Sequence, residues 1–180
     1  MIRPVVVLSL ICLVASALLA GVNVVTTEPI AAAKKQQTLT ALQEIFPFDI
    51  QKVNPVHDND AVYYEVFSEK DTLRGVAVET FTEKGYGGRI AVLVGISRGN
   101  GTIYDYTIIE TKETPGLGIK IADSEFRSQF AGKSLSNGFR WNVKKDGGDV
   151  DAVTAATISS RAIIDALTRG LSLFEKKYHG

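Results

Sequence analysis

Three short segments of the chain carry residue types able to do chemistry. The first is Asp151-Ala-Val-Thr154-Ala155-Ala156-Thr157, followed by Ile158-Ser159-Ser160-Arg161, where an amphipathic run begins. The first turn of a helix has unpaired N–H groups and the positive end of the helix dipole, so a phosphate is stabilised there. Ala155 and Ala156 are small enough for a bulky group to lie against the backbone. The plainer alternative is ordinary capping by Thr154 or Thr157. The second segment is Glu113-Thr114-Pro115-Gly116-Leu117-Gly118. Its Pro-Gly pair specifies a type II turn, and its glycines can aim N–H groups at an anion. A plain loop is the alternative. The third is Gly85-Tyr86-Gly87-Gly88. No Gly-Lys-Ser/Thr follows, so it is not a phosphate loop of the Walker type, and a strand follows where a dinucleotide fingerprint needs a helix. Read alone, it is a tight turn.

The rest of the composition excludes several classes. Cys12 is the only cysteine, which rules out a disulfide within the chain and any site built from several thiolates. His57 and His179 are far apart, and neither has the converging partners of a metal site or a catalytic triad. Any redox chemistry must therefore come from an organic cofactor. Lys and Arg total 20, as do Asp and Glu, so no basic surplus points to nucleic acid. The pairs Lys34-Lys35, Lys144-Lys145 and Lys176-Lys177 read as solvated surface.

The elements that must position these segments are legible from periodicity. Val5 to Val25 is uncharged, and its polar side chains are Ser9, Ser16 and Asn23. At about 1.5 Å per residue it spans roughly 31 Å, enough to cross a bilayer core. A cleaved signal peptide is the competitor, with Arg3 as the charged region and Ala15-Ser16-Ala17 as the cleavage site. The apolar run continues past that site to Val25, which favours an uncleaved anchor. Ile11 before Cys12 argues against a lipoprotein. Arg3 favours an N-terminus in the cytoplasm, with Lys34-Lys35 arguing mildly the other way. The organisation read here is a tail at 1–4, a transmembrane helix at 5–25, an amphipathic helix and loop at 26–57, and an extracytoplasmic domain at 58–180. Pro47 stops the amphipathic helix, and 53–57 is a loop around Pro55. Strands are predicted at 61–67, 74–81, 89–96 and 102–110, with Arg98-Gly-Asn-Gly101 as a hairpin turn. A short helix covers 123–130, and residues 140–143 are a further candidate strand. A long helix covers 158–177, its apolar stripe being Ile158, Ala162, Ile163, Ala166, Leu167, Leu171 and Phe174. Tyr63, Tyr64, Phe67 and Phe81 are read as core or sheet-face residues. The fold class is α+β, an antiparallel or mixed sheet with a long C-terminal helix.

Asp151-x-x-Thr154-Ala155-Ala156-Thr157 resembles the flavinylation motif of the FMN-binding domain family, Asp-x-x-Ser/Thr-Gly-Ala-Thr/Ser. Lys84-Gly-Tyr-Gly-Gly88 and Glu113-Thr-Pro-Gly-Leu-Gly118 stand in the order and spacing of the same family. The anchor with Thr27-Glu28-Pro29-Ile30 behind it is similar to the G subunits of Rnf electron transport complexes. The related C subunits of sodium-pumping NADH:quinone reductases share the domain. The resemblance covers nearly the whole chain. It implies covalent FMN, joined by a flavin transferase through a phosphoester bond to the residue that here is Thr157. It also implies that Asp151, Thr154, Ala155, Ala156, Glu113, Thr114, Leu117, Gly118, Gly87, Gly88 and Ser159 surround the cofactor. Ser160 and Arg161 stand close enough in sequence to help with the phosphate. One position departs from the motif: Ala155 stands where the family has glycine. A backbone conformation open only to glycine would be strained there, whereas a helical or extended one would not.

The resemblance further implies an electron relay without an acid, base or nucleophile of its own. That relay works beside other integral-membrane and peripheral subunits of an ion-translocating ferredoxin:NAD oxidoreductase in the cytoplasmic membrane. The span carries no ionisable residue besides Cys12, so the ion path lies elsewhere. Two other readings are a membrane-tethered sensor or assembly module without flavin, and a stand-alone FMN-linked reductase.

Overall fold

The structure is a computed structural model. It describes residues 2–58 and 60–179, with all of their side chains except those at 2, 3, 30–32, 34 and 70. The side chains of Arg3 and Lys34, on which the orientation reading rests, therefore lie outside the described residues, as does Met1 of the predicted tail. The chain divides into two units, Met1–Thr40 and Ala41–Gly180.

The described residues of the first unit are helical. Helix α1 runs Ile2–Ile45, and its segment Pro4–Pro29 is long and apolar enough to cross a membrane. Val5, Leu8, Leu13, Leu18 and Val25 are each more than half exposed. The transmembrane segment at 5–25 and the amphipathic segment after it run on as one helix. Pro29 lies inside one continuous helix, where it forfeits a single hydrogen bond. Pro47 does end α1, because it drives the preceding residue out of helical geometry.

The second unit is built on five antiparallel strands in the order β1-β2-β3-β4-β5: Lys52–His57, Val62–Ser68, Thr72–Gly85, Gly88–Ser97 and Ile103–Thr111. Each strand pairs with the next in the chain, which two-residue and short turns permit. The interior strand β4 is buried from Ile90 to Ile96, explaining its nearly unbroken apolar sequence. Two expectations are corrected here. The segment around Pro55 is strand β1, not a loop; proline has no N–H to donate and is tolerated because β1 is an edge strand. Residues 140–143 form no strand and make only one parallel bridge, Val143 with Val150.

Each face of the sheet is covered differently. Helix α3, Thr157–Tyr178, lies along β3 and β4 and buries Ala162, Ile163, Ala166, Leu167, Leu171 and Phe174 against Val76, Val78, Val92 and Val94. Each fully buried Leu, Ile or Phe contributes roughly 1.5–3 kcal/mol. Ile158, assigned to that stripe from sequence, is instead 47% exposed. At 100° per residue it points away from the buried arc, and Ser159 and Ser160 occupy the buried positions. The segment between β5 and α3 contains the short helix α2, Ser124–Arg127, and packs Phe126, Phe130 and Trp141 edge to face or stacked beside Tyr106. Burial pushes the Tyr106 phenol well above its usual range, and its O–H donates to the Ile121 carbonyl at 2.5 Å.

The opposite face is covered by the end of α1. Leu42, Ile45 and Phe46 pack on Val66, Ala77 and Leu93. Arg127 anchors this end, its guanidinium donating to Glu44 at 2.5 Å and to Asp105 at 2.6 Å. Close packing is possible because Gly75 and Gly95 have no side chains: a Cβ on Gly95 would collide with Ile45, and one on Gly75 with Phe46. Gly95→Ala is therefore expected to lower the stability of this domain by about 1–3 kcal/mol through overpacking. Urea unfolding of the detergent-solubilised protein, followed by tryptophan fluorescence from Trp141, measures it.

Candidate functional site

The three chemically promising segments converge on one buried side chain. Glu113 follows the end of β5 and is only 7% exposed. Its Oε1 accepts the backbone N–H of Gly87 at 3.1 Å, and its Oε2 accepts the Ser159 hydroxyl at 2.7 Å. The Glu113 N–H in turn donates to Thr111 Oγ1. A buried carboxylate is tolerable when its oxygens are hydrogen-bonded. The surrounding backbone approaches closely because it is glycine. A Cβ on Gly85 or Gly118 would meet the Glu113 carboxylate, and one on Gly87 would meet the Lys112 carbonyl.

The turns around this centre have the geometry their residues demand. Tyr86 and Gly87 form the two-residue turn between β3 and β4, with Gly85 paired to Gly88. Gly116 has φ +77°, and the Leu117 N–H donates to the Thr114 carbonyl, as a Pro-Gly turn requires. Both simple turn readings hold, and both turns also border the site.

The start of α3 supplies the third part. Its capping position is Ala156, and no side chain caps it, so neither Thr154 nor Thr157 plays that structural role. Alanine is a poor capping residue, about 1 kcal/mol worse than Ser, Thr, Asp or Asn. The first helical hydrogen bond is from the Ser160 N–H to the Ala156 carbonyl; among the described residues none engages the N–H groups of Thr157, Ile158 or Ser159. Thr157 is half-buried at the first helical position, beside three free donors and the positive end of a 22-residue helix. A phosphate fits such a place on both charge and hydrogen bonding.

Beyond α1, three large apolar side chains are exposed among the described residues: Tyr86 at 74%, Leu117 at 48% and Ile158 at 47%. Each immediately precedes a residue packed on the Glu113 carboxylate, namely Gly87, Gly118 and Ser159. Exposed apolar side chains next to one buried centre are of the kind that lines ligand sites. Tyr86 and Ile158 are missing from the residue set derived from sequence. Their signal was present, as an aromatic in a glycine turn and an isoleucine next to the hydroxyl motif, but periodicity assigned Ile158 to the core.

The remaining motif residues fall into separate roles. Asp151 is exposed and paired with Lys144 at 2.7 Å, and its backbone is held by Gln129. Thr154, Ala155 and Thr114 are exposed, and Ala156 and Gly118 are buried. The Ser160 hydroxyl bridges the Ala156 carbonyl and the Val153 N–H. Arg161 is held by both oxygens of Asp146, at 2.7 and 2.8 Å. No group of three metal-ligating side chains occurs among the described residues. Two hollows lie away from these residues, one between β3 and α3 around Phe81 and Asp165 and the other along 43–51.

Ala155 takes the left-handed conformation, with φ +62°. An L-residue there costs about 1–2 kcal/mol, a penalty glycine escapes. Glycine regains some unfolded-state entropy, about 0.4–1 kcal/mol, which offsets part of that relief. Ala155→Gly is therefore expected to stabilise the domain by up to about 1 kcal/mol, read as a higher unfolding temperature. The hydrogen bond from Arg161 holds the Asp146 carboxyl below its usual range, burial opposing it weakly. A depressed carboxyl contributes stability above its unfolded value, near 3.8, and loses it as the pH falls through the folded value. The difference in unfolding temperature between wild type and Asp146→Asn is therefore expected to be constant at neutral pH and to shrink below about pH 4.

Residues 85–172 match the model of the FMN-binding domain, and residues 1–45 match that of the RnfG N-terminal region. The G subunit of the ion-translocating oxidoreductase complex of Cereibacter sphaeroides is 34% identical over 181 residues, covering 94% of this chain and 82% of that protein. The protein of the same name from Methanosarcina acetivorans is 34% identical over 172 residues, covering 92% and 89%. The crystal structure of Shewanella oneidensis NqrC superposes with a TM-score of 0.55 at 23% identity, covering 74% of this chain and 73% of that one. The C subunit of the Na(+)-translocating NADH-quinone reductase from Parabacteroides distasonis gives 0.56 at 21% identity, covering 78% and 82%. At these identities the two structures establish a shared fold.

Proposed function

The chain belongs to the family of ion-translocating oxidoreductase complex G subunits, with an FMN-binding domain, and on that premise we propose that it is a membrane-anchored electron relay carrying FMN on Thr157. The observation that carries this reading is the start of α3. There Thr157 stands among three free backbone N–H groups, and neither threonine of the motif is used for capping.

Each part of the site has a task. The N–H groups of Thr157, Ile158 and Ser159 would hold the FMN phosphate, and a flavin transferase would fix it there by a phosphoester to Thr157 Oγ1, the phosphoryl bond of a flavin dinucleotide donor breaking and its nucleotide half leaving. Tyr86, Leu117 and Ile158 provide the apolar surface for the ring system. Bound FMN supplies one- and two-electron transfer. Thr154 and Thr114, exposed on the same loops, border the cofactor, with the backbone of Gly88 and Gly118 nearby. No side chain of the site is poised as an acid, base or nucleophile toward a second substrate, which suits a carrier and not a stand-alone reductase.

Pro4–Pro29 anchors the protein in the membrane, and the domain that follows faces the extracytoplasmic side. Its partners are the other integral-membrane and peripheral subunits of an ion-translocating oxidoreductase of the Rnf type. Covalent attachment is the physical means of keeping a soluble cofactor on a domain outside the cytoplasm.

Expression alongside a flavin transferase is expected to give a flavin-fluorescent band after denaturing electrophoresis, and Thr157→Ala is expected to be dark. A dark wild-type band, with the transferase active on a control protein, would remove the covalent flavin and leave a tethered binding module as the better account.

A further inference from the structure

Glu113 invites the reading of a cofactor contact, but both of its oxygens are engaged inside the protein. Oε1 is occupied by the Gly87 N–H and Oε2 by the Ser159 hydroxyl, and the residue is 7% exposed. Its partners belong to separate elements: Gly87 to the turn between β3 and β4, and Ser159 to the first turn of α3. Gly118, in a third segment, packs so closely that a Cβ there would meet the same carboxylate and would come within 3.0 Å of Ser159 Oγ. These are the elements that carry Tyr86, Thr157 and Leu117; the pairing of Ile90 with Thr111 brings Glu113 beside the glycine turn, but no sheet pairing fixes the start of α3 against either loop. The turn lies beyond the last paired residues of β3 and β4, and α3 and the Gly118 segment belong to no strand.

We propose that Glu113 is a positioning residue: its buried carboxylate fastens the glycine turn to the start of α3, and so sets Thr157 and the apolar surface in register without touching the cofactor. The inference rests on the flavin reading above. Two hydrogen bonds to one rigid carboxylate constrain position more tightly than apolar packing, because each requires distances near 3 Å and near-linear geometry. The charge itself is not needed for this role. A glutamine can accept the Gly87 N–H with its carbonyl oxygen and donate from its amide to Ser159 Oγ, whose hydroxyl rotates to suit. Alanine can do neither, and leaves two donors without their partner.

The test compares Glu113→Gln, Glu113→Ala and Ser159→Ala in the full-length, detergent-solubilised protein. One readout is covalent flavin per chain after expression with the transferase. The other is hydrogen exchange at the Gly87 amide, with the Val94 amide in the middle of β4 as the control for global unfolding. Glu113→Gln should retain flavin close to wild type. Glu113→Ala should lose about tenfold or more, since a misplacement of about 1 Å at a reacting group can cost 10²-fold. Gly87 exchange should accelerate in Glu113→Ala while Val94 stays protected. Should Glu113→Ala fail to fold, Ser159→Ala carries the test, with a smaller loss of flavin and faster Gly87 exchange expected. A glutamine variant as dark as the alanine one would mean that the charge acts directly, and would overturn the proposal; so would undiminished flavin in Glu113→Ala. If the wild type carries no flavin, the flavin reading fails by itself. Gly87 exchange then still decides, and protection unchanged in Glu113→Ala or Ser159→Ala would overturn the positioning role.

Discussion

One helix has to cover one face of a five-stranded sheet, and most of the domain follows from that constraint. The meander leaves its strands with two faces to bury and no crossover helices to bury them. The long apolar stripe of α3 covers one face over β3 and β4. Because the helix lies along these strands, its first turn emerges beside the turn between them and beside the chain that leaves β5. The candidate site is the place where those three ends meet, at the edge of the layered core.

Such a meeting of loops would be loose if only apolar contacts held it. Here it is drawn together around a buried carboxylate, with glycines admitting the backbone to close range. A charge so enclosed is tolerated because the Gly87 N–H and the Ser159 hydroxyl satisfy it, and because it lies by the positive end of α3. The neighbouring residues then face outward in the opposite sense: Tyr86, Leu117 and Ile158 are exposed where a folded domain would ordinarily hide them. Local stability is given up at three points here. An alanine stands in the capping position, a second alanine adopts a left-handed backbone, and three apolar side chains meet water. Deviations from the best local choice concentrated in one place are what a functional surface would require, in keeping with the proposed flavin site.

Outside the site, the same chain follows ordinary rules. Salt bridges such as Arg140–Asp149 and Lys176–Asp60 lie at the surface, where each contributes little. The better-buried Arg127 is different, because it joins Glu44 at the end of α1 to Asp105 in β5 and so secures the segment covering the second face of the sheet.

Much of this was legible in the sequence, for physical reasons that differ by element. The apolar run of 5–25, four of the five strands and α3 were read from periodicity and length, because burial of one face imposes a period on the residues. The two glycine turns were read from residue type, because only glycine tolerates their dihedral angles. Strand β1 was missed, since proline argues against a strand and only the sheet reveals that it lies on an edge. The continuity of α1 through Pro29 was missed for a similar reason: the loss of one hydrogen bond is small against a long helix. Ile158 was misassigned because an apolar residue fits a helical stripe until the sheet fixes which arc is buried. What the sequence alone determined is the three short segments from which the candidate site is built. Tertiary structure alone decided that Glu113 lies buried between the glycine turn and the start of α3, because its partners Gly87 and Ser159 are 26 and 46 residues away in the chain.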